Sequence, residues 1–154
     1  MTPTYIFDLD GTLALCHHRQ HILDNRANPH RWRDFFKACV DDEPNRSVIH
    51  TFHALLRSEG AVAIWSGRSD EVREETEQWL ESRLHVSRQW LRENLRMRPA
   101  GDSQPDDTLK GGWMDSIITH EYAGPVAIFD DRQKVVDMWR SRGLTCYQVQ
   151  PSFD

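Results

Sequence analysis

Three short apolar runs in this chain each stop on residues that are costly to bury. Tyr5-Ile6-Phe7 runs into Asp8-Leu9-Asp10-Gly11-Thr12, Ala61-Val62-Ala63-Ile64-Trp65 into Ser66-Gly67-Arg68, and Val126-Ala127-Ile128-Phe129 into Asp130-Asp131. A short run without a polar face reads as a strand covered on both sides. Leu144 to Val149 reads as a fourth such strand and Leu95 to Met97 as a weaker fifth. In open parallel sheets the crevice outside the carboxyl ends of the strands is where ligands bind. Three polar clusters at three strand ends therefore place a site before any chemistry is assigned.

Helical patterns separate the runs. Pro44 to Glu59 carries Val48, Ile49, Phe52, Leu55 and Leu56 and stops at Gly60, a common residue just past a helix end. Ser69-Asp70-Glu71-Val72 opens another helix with acids in its first turn, where the helix dipole favours them. Pro105 to about His120 spaces Leu109, Trp113 and Ile117 by four, and Arg132 to Arg142 sets Val135, Val136 and Trp139 on one face. Repeated strand–helix alternation predicts an α/β fold with a parallel sheet. The stretch from about residue 13 to 45 breaks the alternation and reads as a small helical insertion lying over the site.

With 154 residues the chain predicts a single domain, 1–154, carrying that insertion. Its 19 basic and 24 acidic residues give a net charge of −5, which argues against non-specific wrapping of DNA and tilts towards small substrates. Six Trp, six Phe and three Tyr argue against disorder. The longest strictly apolar run, Ala61 to Trp65, falls far below the ~20 residues of a membrane span. No charged-then-apolar leader precedes Asp8, and three scattered cysteines (Cys16, Cys39, Cys146) suit reduced thiols, so a cytoplasmic location is expected.

Asp8, Asp10, Asp130 and Asp131 gathered in one pocket would repel strongly without a cation. A hard, oxygen-seeking ion such as Mg²⁺ resolves that repulsion and neutralises an incoming phosphate. Ser66, Gly67 and Arg68 supply a hydroxyl, a flexible backbone and a guanidinium suited to phosphate oxygens. Taken singly, each Asp near a Gly is more often a turn or helix cap. All three strand ends together favour a site.

Tyr5 to Thr12, Ser66-Gly67-Arg68, Lys110 and Asp130-Asp131 resemble, in this order, the four motifs of the haloacid dehalogenase (HAD) superfamily of phosphohydrolases. Asp130 to Arg140 with Gly143 and Gln148-Val149, and Arg98 to Lys110, resemble more narrowly the 3′-phosphatase domain of bacteriophage polynucleotide kinase. The resemblance covers nearly the whole chain, least from about His17 to Asn45 and from Arg83 to Asn94. It implies Asp8 as the nucleophile that forms an aspartyl-phosphate and Asp10 as the acid, then base. It implies Mg²⁺ held by the Asp8 carboxylate, the Asp10 main-chain carbonyl and the Asp130-Asp131 pair. Lys110 and Ser66 would hold the phosphate. Thr12, Arg19, Gly67, Arg68, Arg98 and Asp106 complete the set expected around the phosphate and substrate. No Gly is followed by Lys, so a kinase phosphate loop is not expected.

The fold implied is a HAD-like Rossmannoid three-layer sandwich, a five-stranded parallel sheet in order 5-4-1-2-3 with a small helical cap. The expected activity is Mg²⁺-dependent removal of a 3′-phosphate from polynucleotide ends or nucleotides. A mononucleotide phosphatase is the alternative, and a catalytically silent HAD-like binding module a more distant one. No membrane and no obligate protein partner is expected. Cys16, His17, His18 and His21 fit only half of a zinc site. Trp32, Phe35 and Phe36 either pack the insertion or stack on a base. Arg88, Arg92 and Arg96 read as a solvated helix face with nearby acids, the alternative being contact with a phosphate backbone, and Trp113 and Trp139 read as core.

Overall fold

The structure is a computed structural model that describes residues 2–117 and 124–150. Among them the chain lays down β1 (Thr4–Phe7), β2 (Ala14–Leu15), α1 (Gln20–Asp24), α2 (Arg31–Lys37), β3 (Glu43–Pro44) and α3 (Arg46–Leu56). It continues through β4 (Ala61–Ser69), α4 (Arg73–Leu84), α5 (Arg88–Asn94), β5 (Leu95–Arg98), α6 (Asp106–Ile117), β6 (Val126–Asp130), α7 (Gln133–Ser141) and β7 (Thr145–Gln148).

Five strands form one parallel sheet in the order β5-β4-β1-β6-β7. Numbered without β2 and β3, this is the expected neighbour order read from the other edge. β2 and β3 were not foreseen; they pair only with each other, antiparallel, Ala14 opposite Pro44 and Leu15 opposite Glu43. That short ladder clamps the two ends of the helical insertion together.

Side chains alternate across a strand, so one run feeds two cores. Phe7, Val62 and Ile64 face α3, α4 and α5, with Phe52, Trp79, Leu80, Leu84 and Leu91 packed against them. Ile6, Ala63, Trp65 and Ile128 face α6 and α7, with Met114, Val135, Val136 and Trp139. The result is three layers, helices over both faces of a sheet. Trp139 is fully buried as expected, while Trp113 packs at the border of the second core.

The expected helix from Pro44 starts two residues later, at Arg46, because Pro44 belongs to β3. The Ser69 start is a 3-10 turn, Asp70–Val72, capped by the Ser69 hydroxyl, which accepts from the Glu71 amide at 3.2 Å. The expected helix end at His120 lies outside the described residues.

Candidate active site

β1, β4 and β6 run parallel, so their carboxyl ends emerge at one edge. After β1 the chain turns sharply. The amides of Thr12, Leu13 and Ala14 all converge on the Leu9 carbonyl. Gly11 makes the turn with φ +85°, a backbone angle that side-chain-bearing residues rarely adopt. The turn leaves Asp8 and Asp10 on the strand tip.

Asp8, Asp130 and Asp131 present carboxylate oxygens within 4.8 Å of one another, all buried. Lys110, on α6, reaches in between: its Nζ donates to Asp8 Oδ1 at 2.6 Å and to Asp130 Oδ2 at 3.0 Å. Asp130 Oδ1 accepts from the amides of Asp131 and Arg132, fixing that carboxylate at the turn into α7. Burial pushes the Asp8 carboxyl well above its ordinary value, Asp130 adds to this, and Lys110 only partly opposes it. Burial alone would lower the Lys110 ammonium, but Asp130 and Asp8 outweigh it and keep the group charged.

Three carboxylates against one ammonium leave a surplus of negative charge. The donor set is all oxygen, which suits a hard divalent cation. The Asp10 carboxylate is not part of this cluster. Expected as a metal ligand through its main-chain carbonyl, Asp10 turns its side chain elsewhere.

That side chain meets two arginines. Arg19 Nη2 donates to Asp10 Oδ1 at 2.6 Å and Arg68 Nη2 to the same oxygen at 2.5 Å. Burial alone would raise the Asp10 carboxyl. Arg68 and Arg19 outweigh it and hold the group well below the usual carboxylate range. The aim of Arg68 has a local cause. The β4–β5 ladder pairs Ser66 with Met97 and Ser69 with Arg98, so Gly67 and Arg68 bulge out of register. A bulge re-aims a side chain in this way.

The arginines share a second acid, Asp42, which the sequence reading did not single out. Arg19 Nε and Nη2 donate to its two oxygens at 2.8 and 2.7 Å, Arg68 Nη2 stands 3.4 Å away, and His18 Nε2 lies 2.7 Å away. Trp79 Nε1 donates to the Asp42 carbonyl at 2.9 Å, tying the insertion to α4. Thr76 on α4 accepts from Arg68 Nη1 at 3.0 Å. Nothing in the acidic run Asp41-Asp42-Glu43 marks its middle member as buried; only the closing of the insertion does that.

With this geometry in place, comparison with known proteins is decisive. The family model described as the polynucleotide kinase PNKP phosphatase domain matches residues 2–153. The chain belongs to that family. A protein of Autographa californica nuclear polyhedrosis virus named as a bifunctional polynucleotide kinase/RNA ligase is 31% identical over 134 residues, 86% of this chain and 17% of the viral protein. A chain of the solved Pnkp1/Rnl/Hen1 complex superposes with a TM-score of 0.75 at 29% identity, covering 99% of this chain and 47% of that one. The class C acid phosphatase from Bacillus anthracis shares the fold, with a TM-score of 0.63 at 16% identity over 97% of this chain and 66% of that one. This chain thus spans about a sixth of the viral relative and just under half of the matched chain in the complex. It is a HAD-type phosphatase domain of the PNKP family.

Within this PNKP-family domain the remaining expected residues divide. Ser66 is buried, and its Oγ accepts from the Arg68 amide at 3.1 Å, which leaves its own proton to donate. Thr12 is fully buried behind the carboxylates, its hydroxyl 3.2 Å from Asp131 Oδ1 and 3.4 Å from Asp8 Oδ2. Gly67 is required by closeness: a Cβ there would stand 2.3 Å from Asp106 Oδ1.

Arg98 is tied into the loop that follows β5. It donates to the carbonyls of Gly67, Asp102 and Gln104 and to Asp106 Oδ1. Asp106 in turn accepts from Arg132 Nη1 at 2.6 Å, a residue that stood within a quoted motif but was given no role. Arg19, expected around the phosphate, is fully buried.

The half-site of Cys16, His17, His18 and His21 gathers no metal-holding group among the described residues. Arg88 on α5 pairs with the nearby acids Glu74 and Glu77, as expected, whereas Arg96 belongs to β5 and lies over Trp65 and Trp113. No described helix is long and apolar enough to cross a membrane.

Proposed function

We propose that this domain removes 3′-phosphates from polynucleotide ends through an aspartyl-phosphate on Asp8, with Mg²⁺ as its cation. The observation that carries the reading is the pairing of two charge groups at one strand edge. Asp8 lies with Lys110 among buried carboxylates, and Asp10 lies beside it between two arginines. The family match supports the reaction class, and the names of the relatives support a polynucleotide end.

Asp8, Asp130 and Asp131, with the Asp10 carbonyl, would hold Mg²⁺, which supplies charge neutralisation at the phosphoryl oxygens. Asp8 attacks phosphorus with Oδ2, the oxygen to which Lys110 does not donate, and the P–O bond to the ester oxygen breaks. Asp10 gives that oxygen a proton, then takes one from the water that cleaves the aspartyl-phosphate, releasing inorganic phosphate. Resting Asp10 is ionised, the form the second half needs. The first half needs a proton that Arg19 and Arg68 oppose. An arriving phosphate competes with Asp10 for those guanidiniums, and each bond it draws away lifts the Asp10 carboxyl towards the protonated state.

The test compares kcat/KM, with Mg²⁺ present, on a 3′-phosphorylated oligonucleotide and on free 3′- and 5′-mononucleotides. A clear preference for the 3′-phosphorylated oligonucleotide is expected. Equal or better use of mononucleotides replaces this reading with a nucleotidase. Release of no phosphate from a broad phosphomonoester panel removes the enzymatic reading altogether.

A further inference from the structure

α2 sets Trp32, Phe35 and Phe36 on one apolar stripe, but the three rings are not equivalent. Phe35 is buried, with Arg19 Cζ 4.2 Å from its ring centroid. The Trp32 ring extends the stripe, 6.0 Å from Phe35 and 5.9 Å from Phe36, yet 50% of the residue is exposed. Packing of the insertion accounts for Phe35 and leaves the open face of Trp32 unexplained.

Its position bears on the active site. The Phe35 carbonyl accepts from Arg19 Nη1 at 2.9 Å, and the same guanidinium holds Asp10. Arg33 Nη2 stands 3.7 Å from Glu71, three residues past Arg68, so the first turn of α2 borders the loop that leaves the phosphate-facing end of β4. Trp32 therefore lies at the rim, one ring beyond the group that touches Asp10.

The charge around it is opposite to that of the chain. Residues 20–37, beyond the buried Arg19, hold four arginines and lysines against two aspartates, in a chain whose net charge is −5. Arg33 and Lys37 are exposed one turn apart on the stripe of α2 beside Trp32. The Arg33–Glu71 pair is long and exposed, a weak contact that a phosphate can displace. An open aromatic face flanked by cations, beside a phosphate site, has the chemistry of a single-strand platform: bases stack on the ring whatever their identity, and the cations follow the backbone.

We propose that Trp32 is the stacking platform for a nucleobase just upstream of the terminal phosphate of a single strand, with Arg33 and Lys37 along its backbone. The inference rests on the polynucleotide reading above and names the surface that would enforce it. The experiment measures kcat/KM on 3′-phosphorylated oligonucleotides of one to four nucleotides and on p-nitrophenyl phosphate, for wild type, Trp32→Ala and Trp32→Phe. The readout is the ratio of oligonucleotide to p-nitrophenyl phosphate, which cancels any loss of folded enzyme. Trp32→Ala is expected to lower that ratio by about 5- to 150-fold, the range for losing one base–aromatic stack, through KM and not kcat. It should also flatten the dependence on length, and Trp32→Phe should restore most of the ratio. A Trp32→Ala ratio within twofold of wild type overturns the platform while leaving the polynucleotide reading intact. A wild type that shows no gain from one nucleotide to four overturns both.

Discussion

Replacing Lys110 with methionine keeps most of the buried stem and removes the ammonium that, among the described residues, stands between Asp8 and Asp130. Lys110 is 2% exposed, so no solvent stands ready to take over. Removing one partner of a buried ion pair costs about 3–5 kcal/mol, because the other charge stays behind unpaired. For a chain of this size each kcal/mol moves Tm by about 2–4 °C, so Lys110→Met should melt about 6–20 °C lower in EDTA near pH 8. The pH dependence has a definite sign. Burial and Asp130 already hold the folded Asp8 carboxyl above its unfolded value, so between those two values the native state binds more protons than the unfolded chain. Stability on this account falls as pH rises through that window, and is fully present below it. Losing Lys110 removes the largest influence that lowers the Asp8 carboxyl, so the fall becomes larger and reaches higher pH. The deficit of Lys110→Met should therefore shrink on going from pH 8 to pH 5. A divalent cation restores charge balance, and at a hundredfold excess over its Kd it adds about 2.7 kcal/mol. Mg²⁺ should accordingly raise the Tm of the variant by at least as much as it raises that of wild type. Thermal melts by circular dichroism at pH 5 and pH 8, with EDTA and with Mg²⁺, check all three. A variant within 2 °C of wild type in EDTA at pH 8, or a deficit that does not shrink at pH 5, refutes the reasoning.

Arg19 and Asp42 should behave as one unit. Arg19→Ala and Asp42→Asn each lower kcat/KM, and the double variant falls short of their product by about 0.5–3 kcal/mol of coupling; additive losses would separate them. Gly67→Ala drives a methyl group into Asp106 and should loosen the pairs that Asp106 makes with Arg98 and Arg132. Urea denaturation should show a loss of about 1–3 kcal/mol, typical of overpacking, and an unchanged midpoint would contradict the close approach. The three cysteines are buried. Burial, with Asp130 adding to it, pushes the Cys146 thiol up to about 12, and burial also raises Cys16 and Cys39. None should react with Ellman's reagent at pH 8 until denaturant is added; rapid labelling of the native protein would show the thiols to be accessible.

Legibility in the sequence followed the range of the interactions. The strand tips were readable because an apolar run and the acids that end it are neighbours in the chain, and the tip of β1 carries its own turn signal in Asp10-Gly11. Lys110 was placed by resemblance; no local pattern says that a lysine on α6 crosses to Asp8, a contact over 102 positions. Asp42 was invisible for a different reason. Its burial depends on the β2–β3 ladder folding the insertion back onto Arg19 and Arg68, and a two-residue ladder leaves no periodic trace. The partners of Arg98 were not readable, because three of them are main-chain carbonyls, those of Gly67, Asp102 and Gln104. Backbone acceptors have no identity in a sequence.

The two charge groups at the strand edge explain why one site needs both a lysine and a pair of arginines. In the lower group, Asp8, Asp130 and Asp131 face Lys110 and keep a surplus of about two negative charges, which matches a divalent cation. In the upper group, Asp10 and Asp42 face Arg19 and Arg68 and are already balanced. A balanced group attracts no cation, but it can exchange one anion for another. Asp42, fixed by Trp79 and by both Arg19 nitrogens, is the anion that stays. Among the described residues the Asp10 carboxylate accepts from the two guanidiniums alone, and on the proposed mechanism it would be the partner that phosphate displaces. On that reading the lysine would serve a permanent charge arrangement and the arginines a reversible one. On the proposed mechanism, only a reversible arrangement would switch Asp10 between acid and base within a single turnover.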